Sequence, residues 1–366
     1  MKVPFLDLRV LDAEQKQEML RAIETVMDHG RILLGPEVEA LERELAVYCG
    51  VKHALAVGSG TDALVLAVRG LGLGAGDEVV TPAITFVGTA NGIALAGAKP
   101  VFCDVTPDLV MDPARIEAAI TPRTKAVMPV HFTGRVPDMD AIAAICRKHN
   151  LILIEDAAPG IGAERNGKRA GSFGKVGCLS INPMKVLNAL GEAGAVLTDD
   201  DALFERLSIL RYHGVVNKES CVTLSHNARI DTLQAAVILP RLKRLEQSIA
   251  HRRSVAARYN AAFKGLFRLP QETQGHRDVY YTYTIQSPER GKLAEHLAEA
   301  GVETRVQHPM IIPQHPLYLE ADLSRYPVAM KAVSEVLCLP CHEKLDDAQV
   351  DHTIRAVNGF FSQKRA

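Results

Sequence analysis

The sequence predicts an α/β fold with a mostly parallel sheet between helices, followed by a smaller α+β unit. Three observations predict it. Short apolar runs at 54–57, 78–81, 101–105, 125–130 and 151–155 alternate with helically spaced segments at 61–68, 85–96, 113–120 and 139–149. Such runs between helices belong to parallel strands covered on both faces. The alternation stops after residue 198 and gives way to longer helical patterns. A length of 366 residues is too great for one small core and points to two domains. The expected division is a large domain with an N-terminal arm over 1–240 and a small C-terminal domain over 241–366.

In chain order, Met19, Ala22, Ile23 and Val26 give residues 14–27 helical spacing, and Gly35-Pro36 opens a second helix to 48. The alternating βα region comes next. It closes with two strands, 177–181 and 194–198, joined by a loop. Residues 203–212 read as helix. Residues 230–253 form a longer helical pattern, extendable to 263, in which Pro240 is expected to produce a kink or a break. A strand at 279–285 and helices at 292–300 and 346–360 complete the C-terminal unit.

Composition narrows the function classes. Apolar residues make up 47% and charged residues 23%, as in ordinary soluble globular proteins. A net charge of −1, no Trp and only 5% aromatics argue against a nucleic-acid surface. No run reaches the length of a membrane span, and MKVPFLDLRV lacks the features of a signal peptide. Seven scattered cysteines are no disulfide framework and suggest a reducing, cytoplasmic compartment. Cys338 and Cys341 form a CLPC pair without the second pair that a zinc site needs, so no metal is expected.

The chemistry is expected around the loop 181–193. Lys185 is flanked by Met184, Val186 and Leu187, so its amine is expected in mostly apolar surroundings. Burial lowers a lysine's pKa, and a neutral amine is what Schiff-base formation requires. Gly191 and Gly194 allow the backbone to come close to a ligand. On context alone, a solvated surface lysine is the commoner case.

Three further segments sit at expected strand ends. Gly58-Ser59-Gly60-Thr61-Asp62 suits a phosphate at a helix N-terminus, or a turn with an N-cap hydroxyl. Asp156 ends the strand LILIED, where a carboxylate points into the ligand crevice of such a sheet, or merely caps a helix or pairs with a base. Phe86 opens a helix in TPAITFVGTA and serves either as a plate for a ligand or as core. The run GLGLGAG at 70–76 follows a helix and precedes a strand, the wrong order for a dinucleotide fingerprint. Cradle, carboxylate, aromatic plate and amine together match the needs of pyridoxal 5'-phosphate: a held phosphate, a partner for the ring nitrogen, and a lysine for the aldehyde.

The segments VPFLDL, GPEVEALE, VGSGTDAL, GDEVVTPAITFVGTA, ILIEDAA, GEAGAVLTDD and NARIDTLQAA occur in an order that resembles the DegT-type nucleotide-sugar aminotransferase family, of the aspartate-aminotransferase-like fold type I. The resemblance implies that Lys185 carries the cofactor and moves the proton. It further implies that Asp156 pairs with the ring nitrogen, that Phe86 stacks on the ring, and that Gly60, Thr61 and Ser180 hold the phosphate. Asn227 is implied to reach that phosphate from a partner subunit, making an obligate homodimer with shared sites. Arg229 and His308 are implied to meet substrate. Glutamate and a nucleotide-linked ketosugar are the implied substrates, with the amine going to C3 or C4; NARIDTLQAA looks closer to the 3-keto subgroup.

Two departures stand out. Pro159 occupies a position where the family usually has Gln or His, and the lysine loop reads INPMK instead of an aromatic-rich form. Alternatives are a sugar dehydratase of the same fold, which replaces the lysine by histidine, and a non-catalytic regulatory protein.

Overall fold

The computed structural model describes residues 1–362; residues 363–366, at the end of the expected C-terminal unit, lie outside the described residues. Helices α1 (Ala13–His29) and α2 (Pro36–Cys49) come first. Asp12 caps α1 by accepting the Gln15 N–H, and Gly30 ends it in the left-handed region at φ 68°.

Seven strands form the main sheet: β1 (His53–Val57), β2 (Glu78–Pro82), β3 (Lys99–Cys103), β4 (Thr124–Val127), β5 (Ile152–Asp156), β6 (Val176–Ser180) and β7 (Gly194–Thr198). Their spatial order is β1-β7-β6-β5-β4-β2-β3. The run from β3 to β6 is parallel, whereas β7 is antiparallel to both its neighbours.

Helices α3 (Gly60–Gly70), α4 (Val87–Leu95) and α5 (Met139–Lys148) connect successive strands. Side chains alternate across a strand. Val80 therefore joins a cluster with Leu41, Leu45 and Ile142, while Val79 joins another with Leu64, Ile93 and Leu207. Both faces of the sheet are buried, as the uninterrupted apolar runs require. Helix α6 (Asp201–Leu210) covers the second face.

The helical pattern from 230 divides at a different place from the one expected. Helix α7 (Thr232–Lys243) runs on through Pro240, and α8 (Leu245–Ala262) begins after Arg244. The Arg244 N–H bonds back to the Arg241 carbonyl, so the turn tightens there and not at the proline.

In the C-terminal part, β8 (Tyr283–Gln286) pairs antiparallel with β9 (Val336–Leu339). The expected strand at 279–285 starts late. The Val279 and Thr282 N–H groups bond instead to the carbonyls of Gly134 and Thr133, which ties this segment to the 3-10 turn that follows β4. Helices α9 (Arg290–Glu299) and α11 (Asp347–Ser362) pack around Tyr259, Phe263, Tyr283, Leu297 and Val357.

Between β8 and β9 the chain folds back. Ile311, Ile312 and Tyr326 pack with Ile84, Phe102 and Phe132, and Asp104 accepts the Val328 and Ala329 N–H groups at the start of α10 (Pro327–Glu335). Cys338 and Cys341 are buried around the end of β9.

Candidate active site

The carboxyl ends of β1, β2, β5 and β6 and the starts of α3 and α4 meet in one place. Ser59 N-caps α3, accepting the Asp62 N–H and donating its hydroxyl to Asp62 Oδ2 at 2.9 Å. Gly60 is the first helical residue. A Cβ built on it would lie 2.6 Å from Ser180 Cβ, so the two expected phosphate-holding positions touch. β7 closes the same corner, since a Cβ on Gly194 would stand 2.4 Å from the Ser59 carbonyl oxygen. Only glycine permits that approach.

Phe86 is the N-cap residue of α4 and is 64% exposed, which excludes the core role. A Cβ on Gly88 would meet the Phe86 ring at 2.8 Å and the Thr61 hydroxyl at 3.9 Å. The aromatic plate and the cradle are thus neighbours.

Asp156 is 3% exposed at the end of β5. Its Oδ2 accepts the Thr89 hydroxyl at 2.6 Å, and its Oδ1 accepts the Ala158 N–H at 3.1 Å. Burial pushes the Asp156 carboxyl up from its ordinary range; the Thr89 and Ala158 hydrogen bonds and the Lys185 charge pull against that. Glu155, next along the strand, is turned to the other face. It accepts the Gly171 and Gly174 N–H groups and pairs with His131 at 2.8 Å.

Lys185 lies in the loop after β6. Val186 and Leu187 are buried, but Met184 is 47% exposed and Lys185 itself is half-buried, so the expected apolar surroundings are only partly realised. Its Nζ sits 4.3 Å from the centroid of the Tyr281 ring, a cation–π contact. The Tyr281 hydroxyl accepts Gln307 Nε2 at 3.1 Å. His308 follows, its ring 5.1 Å from that of Phe132. Burial, then the Lys185 charge, push the His308 imidazole down to about 4.

Asn227 is exposed, and its Oδ1 accepts from Arg229 Nε at 3.0 Å. It does not cap the following helix; Asp231 occupies the N-cap of α7. The Arg229 guanidinium lies over the Tyr212 ring at 3.8 Å. Its backbone bridges to Val57, and His226 bonds Asp62 at 2.9 Å, so residues 226–229 lie beside the start of α3 in the same chain.

A path of close approaches therefore runs from Ser180 through Gly60, Thr61, Gly88, Phe86 and Thr89 to Asp156, and the Lys185 charge acts on both Asp156 and His308. Thr85, Thr89 and Tyr281 were not singled out from the sequence. The only local hint of Thr89 is its place three residues after Phe86 in TPAITFVGTA. A glycine-lined corner with a hydroxyl, a buried carboxylate, an exposed aromatic face and an amine fit pyridoxal 5'-phosphate.

Fold and site together define a pyridoxal-phosphate-dependent transferase of fold type I. Residues 13–358 match the DegT/DnrJ/EryC1/StrS aminotransferase family, and the chain belongs to that family. It is 40% identical to the UDP-2-acetamido-2-deoxy-3-oxo-D-glucuronate aminotransferase of Pseudomonas aeruginosa, over 95% of this chain and 97% of that protein. It is 39% identical to a pleiotropic regulatory protein of Geobacillus stearothermophilus, over 99% of each.

Among solved structures, Streptomyces venezuelae DesV in complex with a ketimine intermediate superposes with a TM-score of 0.95 at 39% identity, covering 98% of both chains. The ntda protein of Bacillus subtilis, with bound cofactor PMP, does so at 0.91 and 32% identity, covering 99% of this chain and 86% of that one.

Proposed function

We propose that this chain transfers the amino group of glutamate to a ketone of a nucleotide-linked sugar, with C3 favoured over C4, in amino-sugar biosynthesis for a surface polysaccharide, glycan or antibiotic. The observation that carries it is the path of close approaches from the Gly60–Ser180 corner past Phe86 to buried Asp156, whose carboxyl feels the Lys185 charge. The 3-oxo sugar in the name of the Pseudomonas relative supports the C3 preference.

When bound, pyridoxal phosphate supplies an electron sink that makes the α-proton of an amine labile. Gly60, Thr61 and Ser180 hold its phosphate with helix-end amides and hydroxyls. The exposed Phe86 ring covers one side of the bound ring. Asp156, held from both oxygens, keeps the ring nitrogen protonated. Lys185 would hold the cofactor through Nζ and carry the proton, its amine lying over the Tyr281 ring. His308 is neutral at pH 7 and meets the sugar nucleotide as a hydrogen-bonding imidazole, not as a cation. Arg229 supplies the fixed positive charge for an acidic substrate group.

The working unit is a homodimer, with Asn227 of each chain serving the other's phosphate. The cluster around Tyr259 and Tyr283 supports a separate C-terminal domain, although Leu242, Leu245 and Ile249, past the proposed division near residue 240, still pack in the large-domain cluster. A cytoplasmic location fits seven free thiols, six of them buried. No helix among the described residues is long and apolar enough to cross a membrane.

The name of the Geobacillus relative favours a second reading, a regulatory protein that kept the fold. One experiment separates the two. The purified holoprotein should lose its visible absorbance on adding glutamate and regain it with a 3-oxo nucleotide sugar, while Lys185→Ala should do neither. A wild-type protein whose spectrum ignores both substrates would be a binding protein.

A further inference from the structure

Thr89 and Thr85 have a hydrogen-bonding arrangement that helix formation does not explain. A threonine in a helix commonly bonds back to the carbonyl four residues earlier. Thr89, in the first turn of α4, bonds instead to Asp156 Oδ2 at 2.6 Å and to the Thr85 hydroxyl at 3.0 Å. Thr85, Thr89 and Asp156 are 3%, 1% and 3% exposed, so water does not compete.

The protons can be counted. Pairing with a protonated ring nitrogen requires Asp156 ionised; an ionised carboxylate only accepts, and each hydroxyl has one proton. Thr89 must therefore donate to Asp156, which leaves its oxygen free to accept from Thr85. The chain is polarised in one direction, Thr85 to Thr89 to Asp156. The 2.6 Å distance is that of a charge-assisted O–H···O⁻ bond, and linked hydroxyls strengthen one another. The Ala158 N–H holds the other oxygen, so the carboxylate cannot rotate without breaking a buried bond.

We propose that Thr89, backed by Thr85, is a positioning residue that sets the orientation and charge of Asp156 toward the cofactor's ring nitrogen. This rests on the reading of Asp156 as the partner of that nitrogen. Neither threonine touches the reacting atoms. Both act through the carboxylate, and Thr85 acts only through Thr89.

The test uses holoenzyme variants Thr89→Val, Thr89→Ser, Thr85→Val, the double valine variant, and Asp156→Asn. Cofactor Kd is read by equilibrium dialysis, and the pH titration of the bound cofactor's visible absorbance is followed in parallel. Thr89→Val, nearly isosteric, should raise Kd about ten- to a hundredfold, the range for loss of a hydrogen bond to a charged group, and shift the absorbance titration. Thr89→Ser should restore both.

Thr85→Val should raise Kd only about two- to fivefold, because it weakens a neutral bond. The double variant should equal Thr89→Val alone, which is the signature of a series arrangement. Wild-type Kd and titration in Thr89→Val, additive effects in the double variant, or no rescue by serine would each overturn the proposal. Should Thr89→Val not fold, an unchanged Kd and titration in Thr85→Val overturns it. An unaltered spectrum and Kd in Asp156→Asn removes the reading of Asp156 and the relay with it. An altered Asp156→Asn beside an unaltered Thr89→Val removes the relay alone.

Discussion

Ser180 fills the space that a side chain on Gly60 would need: the ideal Cβ of residue 60 would stand 2.6 Å from Ser180 Cβ and 3.0 Å from its Oγ. The first turn of α3 and the last residue of β6 are therefore locked together at the corner assigned to the phosphate. Gly60→Ala is expected to lower stability by about 1–3 kcal/mol through overpacking and to weaken cofactor binding. Adding Ser180→Gly should return most of the stability but not the affinity, because the hydroxyl is gone. Denaturant midpoints and cofactor titrations separate the two effects.

Phe86 offers the converse case. Its side chain is 64% exposed, so it contributes little to the core. Phe86→Ala should change stability by no more than about 0.5 kcal/mol. Cofactor Kd should nevertheless rise about two- to tenfold, the range for a lost aromatic stacking contact. A large drop in thermal stability with unchanged Kd would mean that Phe86 supports the fold instead.

Exposed Asn227 leads to an assembly prediction. In a shared-site dimer, mixing Lys185→Ala with Asn227→Asp under subunit exchange yields one site with both lesions and one with neither. Activity should therefore return to the mixture. Demonstrated mixed dimers that stay inactive, from parents that fold normally, would refute the shared site for Asn227.

Acid stability should reflect His342, which lies far along the chain from the site residues. It is buried, with Nε2 3.3 Å from the Pro4 carbonyl and Nδ1 accepting the Lys344 N–H. Burial pushes its imidazole down to about 4 from an ordinary 6.5. Between those values the unfolded chain binds the proton and the folded chain does not, so stability is lost as pH falls from 6.5 to 4. Above 6.5 the group contributes no pH dependence. His342→Gln should flatten part of that acid limb while leaving stability at pH 8 nearly unchanged, as read from urea midpoints across the range.

The alternating strand and helix pattern was legible because periodicity is local: Val79 and Val80 announce a strand buried on both faces before any partner is known. Lys185, Asp156 and the Gly60-Thr61 turn were legible for a related reason. Asp156 and the Gly60-Thr61 turn stand at or just beyond the ends of such runs and Lys185 in the loop that follows one, and strand ends line the crevice.

Tertiary structure alone decided what meets at those ends. Periodicity says which face a residue takes but not which strand lies beside it. The antiparallel β7, wedged between β1 and β6, could not be read from its five residues. Nor could the bond between Thr89 and Asp156, 67 positions apart, or the Tyr281 ring beneath Lys185. Pro240 was expected to kink or break the helix; the break does not occur there, since α7 runs on through the proline, with Ala236, Val237 and Ile238 buried, and ends before Arg244. Sequence specified the chemical parts and the faces they occupy; the long-range pairing of strand ends decided which of those parts stand beside one another, as Gly60 does beside Ser180 and Thr89 beside Asp156.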